Sequence, residues 1–216
     1  MKLYYASPSP YVRKVMVTAI EAGLDGEIER VTPAERMWVG DGDQVVVESN
    51  PLGKIPTLIA RDGSVLIDSS LICEYLSSLS PDTGLLPAAG PERWRVLQLQ
   101  ALAQGALDAA VHRFVETGLR PAGLRWGDWI TRQSVKVSRT FDQLEAMISA
   151  DQIATSGANA IHLGTITMGC TLGYLDQREN DQSWRAGRPG LSRWYDDFSQ
   201  RTSMQATIPP PLESPN

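Results

Sequence analysis

Asn50-Pro51-Leu52-Gly53-Lys54-Ile55-Pro56 runs directly into the apolar, β-branched stretch Thr57 to Ala60. Pro56 has no N–H to give a strand ladder, so it marks the start or edge of a strand and invites a tight bend, for which a cis bond is one solution. With a cis Ile55-Pro56 bond, the backbone N–H and C=O of Ile55 face outward and can pair with an extended, peptide-like ligand as an added strand would. The same residues also describe an ordinary Pro/Gly turn. Either way a strand follows Pro56, and the fold depends on what flanks it.

Towards the C-terminus, Arg61-Asp62-Gly63 joins Thr57–Ala60 to a second β-like run, Ser64 to Ile67. Asp-Gly between two such runs predicts a hairpin. A helix from about Ser69 to Ser78 follows. Towards the N-terminus, Lys2–Tyr5 and Ile28–Val31 read as strands. Between them Val12, Val15, Met16 and Ala19 fall on one helix face at i, i+3, i+4, i+7. Strand, helix, strand implies a βαβ unit.

Ser80-Pro81-Asp82-Thr83-Gly84 is rich in turn formers and reads as a linker, and Pro87 to Pro91 leads into helix. Beyond it no run reads as a strand. Trp94–Glu116 is helix-compatible, and Val137, Phe141, Leu144 and Ile148 share a helical face. So do Ile166, Gly169, Cys170, Gly173 and Tyr174, and then Leu191, Trp194, Tyr195 and Phe198, ahead of Pro209-Pro210-Pro211. The expected organisation is an α/β domain over 1–79 in the order βαβ-α-ββα, a linker over 80–90, and an all-helical domain over 91–216.

Composition narrows the function classes. With 216 residues, 42 % of them hydrophobic and 21 % charged, the chain matches a globular protein rather than a disordered or low-complexity one. Its net charge of −5, from 20 basic and 25 acidic residues, argues against nucleic acid as a partner. No apolar run approaches the ~18 residues of a membrane span, and Met1–Ala6 enters a strand rather than an export signal, so no membrane partner and a cytoplasmic location are expected. Cys73 and Cys170 stand far apart among apolar neighbours, which supports neither a disulfide framework nor a metal site.

Two further clusters carry chemistry. Ser7-Pro8-Ser9-Pro10-Tyr11-Val12-Arg13 lies between a strand and a helix start, where backbone N–H groups and the helix dipole favour an anion. A hydroxyl there can donate to a thiolate and lower the thiol's pKa. Alternatively, Ser7 or Ser9 only caps the helix, with Pro10 in its first turn. Asp68-Ser69-Ser70 opens the next helix: Ser69 or Ser70 can donate to a carboxylate while Asp68 accepts from an ammonium, a pairing that fits an amino-acid head group. Plain N-capping by Asp68 is the other reading.

Taken together in this order, the three clusters resemble those of the cytosolic glutathione transferase family. The resemblance extends over nearly the whole chain, through Ser9-Pro10-Tyr11-Val12-Arg13, Asn50 to Pro56, Asp68-Ser69 with Ile72 and Tyr75-Leu76, Gly173-Tyr174-Leu175-Asp176 and Trp194-Tyr195. It implies a thioredoxin-like N-terminal domain followed by an all-helical one, and the N-terminal motif is most similar to the bacterial serine-type branch. It implies that glutathione is the co-substrate, with Ser9 at the thiol, Ile55 and cis-Pro56 at the cysteinyl backbone, Asp68 and Ser69 at the γ-glutamyl group, and Lys54 at the glycyl carboxylate. Ser9 is preferred because Ser9-Pro10-Tyr11-Val12 overlays the Cys-Pro-Tyr-Cys of glutaredoxins, and Ser7 is the alternative. Without cysteine at 9 or 12, no protein thiolate is there to attack a disulfide.

The implied reaction is attack of the glutathione thiolate on an apolar electrophile held between the domains, as in detoxification, with no metal. Trp38, His112, Phe114 and Val115 are candidates for the electrophile site, core packing being the alternative role of Phe114 and Val115. A homodimer is the expected assembly. Other readings are a non-catalytic glutathione-binding or protein-interaction module of the same fold, or a glutathione-dependent reductase or isomerase. Neither His112 nor His162 has a Ser or Cys partner motif that would suggest catalysis. One departure stands out: the Ser/Thr-x-x-Asp capping box of the family's buried helix falls here on His162 and Thr165, or shifts to Asn159. A cap worth on the order of 1 kcal/mol is at stake.

Overall fold

The computed structural model describes residues 1–33, 43–154, 160–178 and 184–210. The chain forms two compact units, one comprising Met1–Arg93 with the segment from Thr202 onward, the other Trp94–Arg201.

In the first unit the order is β1 (Lys2–Tyr4), α1 (Pro10–Glu21), β2 (Glu29–Val31), α2 (Gln44–Ser49), β3 (Thr57–Ile59), β4 (Val65–Leu66) and α3 (Ser69–Leu79). The sheet runs β2-β1-β3-β4, with β1 parallel to β2 and the other pairs antiparallel. This is a thioredoxin-like arrangement. Leu3 pairs with Leu58, and both are fully buried, so the two central strands fill the core directly. The expected hairpin forms between β3 and β4: Gly63 takes φ +83°, and Asp62 accepts from the Ser64 N–H at 2.9 Å.

Every residue of α1 from Val12 to Ala19 is buried, Arg13 and Lys14 included. Arg13 meets its polar needs at the far end of the chain, donating to Met204 O at 3.1 Å and to Thr207 Oγ1 at 3.4 Å. Those residues lie in and just beyond a short helix, α8 (Thr202–Gln205), which Ser203 also ties to Glu21 through a 2.6 Å hydrogen bond.

The second unit is helical, as expected: most of α4 (Gly90–Phe114), then α5 (Gly127–Ser149), α6 (Leu163–Arg178) and α7 (Pro189–Ser199). Val137, Phe141, Leu144 and Ile148 form the buried face of α5, and Leu191, Trp194, Tyr195 and Phe198 that of α7. Leu163 to Leu175 in α6 are buried without interruption. Its threonines stay satisfied inside the helix: Thr167 donates to Leu163 O and Thr171 to Thr167 O, both at 2.8 Å. Asp176 accepts from the Trp184 indole and pairs with Arg185, whose guanidinium lies 4.4 Å from the Trp184 ring.

Candidate functional site

Strand register brings the three sequence clusters to one end of the sheet. Tyr4, the last residue of β1, pairs with Thr57, the first of β3, and antiparallel β4 returns to that end at Leu66. The segments carrying Ser9, Ile55-Pro56 and Asp68-Ser69 therefore leave the sheet together. The N-termini of α1 and α3 open there as well, so two positive helix ends face the same side.

Ser9 is the N-cap of α1, and its Oγ accepts from the Val12 N–H at 3.3 Å. Capping and thiol contact are compatible, because a hydroxyl that accepts through a lone pair still has its proton to donate. Ser7 lies in the turn closed by the Ser9 N–H to Ala6 O hydrogen bond. Both serines are half-buried.

A side-chain network holds the middle cluster. Asn50 is 1 % exposed; its Nδ2 donates to Lys54 O at 3.0 Å and to Thr57 Oγ1 at 2.9 Å, and its Oδ1 accepts from the Leu52 N–H at 3.0 Å. Thr57 Oγ1 in turn donates to Lys54 O at 2.8 Å. Gly53, at φ +58°, makes the turn that these bonds close. The Ile55-Pro56 bond is cis, as is Ile67-Asp68. Pro56 is buried, Ile55 half-buried and the Lys54 side chain exposed.

In the third cluster Asp68 caps α3, accepting from the Ser70 N–H at 2.9 Å and the Leu71 N–H at 3.3 Å while remaining exposed. Ser69 is only 1 % exposed, and its hydroxyl has no hydrogen-bond partner among the described residues. A buried unpaired hydroxyl at a helix N-terminus costs stability, and a ligand carboxylate is a group that would relieve it.

Of the electrophile candidates, His112 is exposed and Phe114 and Val115 are half-buried, whereas Trp38 lies outside the described residues. A side chain at Gly118 would come within 3.1 Å of the Phe114 ring, so that ring packs on its own helix's extension. The sequence reading did not include Trp126 and Trp129. They stack at 6.3 Å, and Trp129 lies 6.4 Å from the His112 ring and 5.9 Å from Lys136 Nζ. Glu116 fixes this corner: it accepts from the Trp126 N–H at 2.8 Å and pairs with Arg120, and these contacts hold its pKa below the usual carboxylate range. The i, i+3 tryptophan spacing was the signal available in the sequence.

Cys73 is buried, with Thr18 Oγ1 3.3 Å from its sulfur, and desolvation raises its pKa, an inert environment for a thiol. Neither cysteine is in a disulfide, and no group of three or more His, Cys, Asp or Glu able to hold a metal occurs among the described residues. No helix among them is long and apolar enough to cross a membrane.

The thioredoxin-like sheet, the helical unit and the polar groups gathered at one sheet end define a protein of the glutathione transferase class. Residues 8–79 match the family described as Glutathione S-transferase, N-terminal domain. Over 97 % of its length the chain is 32 % identical to the uncharacterized GST-like protein YibF of Escherichia coli (strain K12), covering 99 % of that protein. Its structure matches that of a glutathione transferase family member from Pseudomonas fluorescens Pf-5, solved with bound glutathione, at 39 % identity and a TM-score of 0.89, covering 97 % of this chain and 98 % of that one. A glutathione S-transferase from Methylobacillus flagellatus, also with glutathione bound, matches at 35 % identity and 0.85, covering 96 % and 98 %. The chain belongs to the glutathione S-transferase family.

Proposed function

We propose that this protein is a serine-type glutathione transferase. The observation that carries the reading is the buried, unpartnered Ser69 hydroxyl beside exposed Asp68, at the same sheet end as the Ser9 cap. The γ-glutamyl carboxylate accepts from Ser69 and the first turn of α3, its ammonium donates to Asp68, the cysteinyl backbone pairs with Ile55 beside Pro56, and Lys54 meets the glycyl carboxylate. Ser9 then donates to the thiolate. Lowering a thiol's pKa from ~8.5 by one unit corresponds to ~1.4 kcal/mol of differential stabilisation.

In the reaction the thiolate sulfur forms a bond to the electrophilic carbon, and the displaced pair leaves with the leaving group or, in an addition, takes up a proton. His112, Phe114 and Val115, with Trp129, are the described candidates for the apolar wall. A homodimer in the cytoplasm acting in detoxification completes the proposal. The net charge of −5 repels an anionic tripeptide only weakly, because screening confines that repulsion to a Debye length of ~8 Å, so local donors dominate.

The test is glutathione calorimetry followed by thiolate absorbance against pH for wild type, Ser9→Ala and Ser7→Ala. The expected result is binding, with a depressed thiol pKa that only Ser9→Ala restores. Absence of binding sinks the proposal. Binding with an unshifted thiol leaves a binding module, and a larger effect from Ser7→Ala moves the role to that serine.

A further inference from the structure

Lysine is almost never fully buried without a partner, because removing an ammonium from water is costly. Lys14, five residues into α1 beyond Ser9, is 0 % exposed. Among its contacts, Nζ donates to Ser70 Oγ at 3.1 Å. Ser70 is the second residue of α3, and its own N–H donates to Asp68. The buried ammonium of α1 thus reaches the first turn of α3, which also carries the unpartnered Ser69 hydroxyl.

Thr18 Oγ1, 2.9 Å from Lys14 O and 3.3 Å from Cys73 Sγ, continues the polar contact between the two helices one turn below. A hydroxyl that accepts from an ammonium keeps its proton and becomes a better donor, so Ser70 can pass the influence of Lys14 to an anion at the helix mouth.

Resting on the glutathione reading, we propose that Lys14 is a positioning residue for the γ-glutamyl carboxylate: through its bond to Ser70 Oγ it orients Ser70 and the first helical turn toward the ligand. It touches no reacting atom.

Lys14→Met keeps an unbranched apolar stem of nearly the same length and removes the charge. Affinity is measured by calorimetry for glutathione and for the 4-aminobutyryl analogue, which lacks only the γ-glutamyl α-carboxylate, alongside thermal unfolding. Expected is a roughly ten- to hundred-fold loss for glutathione, the scale of a hydrogen bond to a charged group, and less than about two-fold for the analogue. The unfolding midpoint reports whether the variant keeps the fold, so that both affinities are compared on folded protein. Equal losses on both ligands, or no loss on glutathione, overturn the proposal. Should Lys14→Met fail to fold, Ser70→Ala, which leaves Lys14 in place, must show the same selectivity for the carboxylate, and its absence is equally decisive against the idea. Wild-type protein that binds neither ligand instead overturns the glutathione reading itself.

Discussion

His162 and Thr165 cap α6 reciprocally: the Thr165 N–H donates to His162 Nδ1 at 3.2 Å, and the His162 N–H donates to Thr165 Oγ1 at 3.0 Å. This is the geometry of a capping box, with an imidazole nitrogen where a hydroxyl or carboxylate usually stands. The departure from Ser/Thr-x-x-Asp therefore keeps the cap, and α6 begins at Leu163; Asn159 lies outside the described residues.

An Nδ1 that accepts must be unprotonated, and burial holds His162 at a pKa of about 4, against an ordinary 6.5. The unfolded imidazole takes a proton near pH 6.5 and the folded one only near 4. Stability from this group is thus complete above pH 6.5, falls as pH drops through that window and levels off below 4, a loss on the order of 3 kcal/mol. Urea unfolding from pH 7 to pH 4 should show this slope in wild type, and His162→Ser, which caps without titrating, should flatten it. An unchanged slope in His162→Ser would assign the effect to other groups.

Ser69→Ala should separate binding from folding. Its hydroxyl satisfies no partner among the described residues, so removing it relieves a desolvation penalty and should leave the melting temperature unchanged or slightly raised. Glutathione affinity should fall about ten-fold, the value of one hydrogen bond to a charged group. A destabilised variant with undiminished affinity would place the hydroxyl in the fold rather than the site.

The parts of the structure visible in the sequence are those governed by neighbouring residues. The Asp62-Gly63 hairpin, the Asn50 to Pro56 turn and the α5 face of Val137, Phe141, Leu144 and Ile148 are each set within a few residues. Long-range partners leave no such trace. Nothing in the local pattern around Arg13 and Lys14 foretells their burial, yet both are buried, one donating to Met204 O at a separation of 191 residues and the other to Ser70 Oγ. The same holds for Trp126, whose place depends on the Glu116 carboxylate ten residues earlier. The family resemblance brought Ser9, Ile55 and Asp68 to one ligand, and strand register, which the hairpin and the βαβ unit fix together, supplies the physical reason.

Asn50→Ala should loosen the segment that presents Ile55. It removes the donors to Lys54 O and Thr57 Oγ1 and the acceptor for the Leu52 N–H from a site that is 1 % exposed. A loss of about 2–3 kcal/mol by denaturant unfolding is expected, with weaker glutathione binding measured on the folded fraction. Thr57→Val, which keeps Asn50 and its bond to Lys54 O, should cost less on both readouts.

Two glycines should respond to alanine with opposite signs. In a helix interior alanine is favoured over glycine by up to ~1 kcal/mol, because glycine loses more backbone freedom on folding. Gly105 in α4 has nothing within 4 Å of an added Cβ, so Gly105→Ala should realise that gain. At Gly164, in the first turn of α6, the same methyl would lie 2.9 Å from Val96 O, 3.0 Å from Leu99 Cβ and 3.1 Å from His162 Cε1. Val96 O belongs to the 25-residue backbone of α4, which cannot yield locally, and pushing on His162 disturbs the cap as well. Overpacking of this kind costs about 1–3 kcal/mol, more than the helix preference returns. Gly164→Ala should therefore lower the urea midpoint while Gly105→Ala raises it. A stabilised Gly164→Ala would mean that α6 can move away from α4 without loss, and that the close approach at Val96 is not what fixes glycine there.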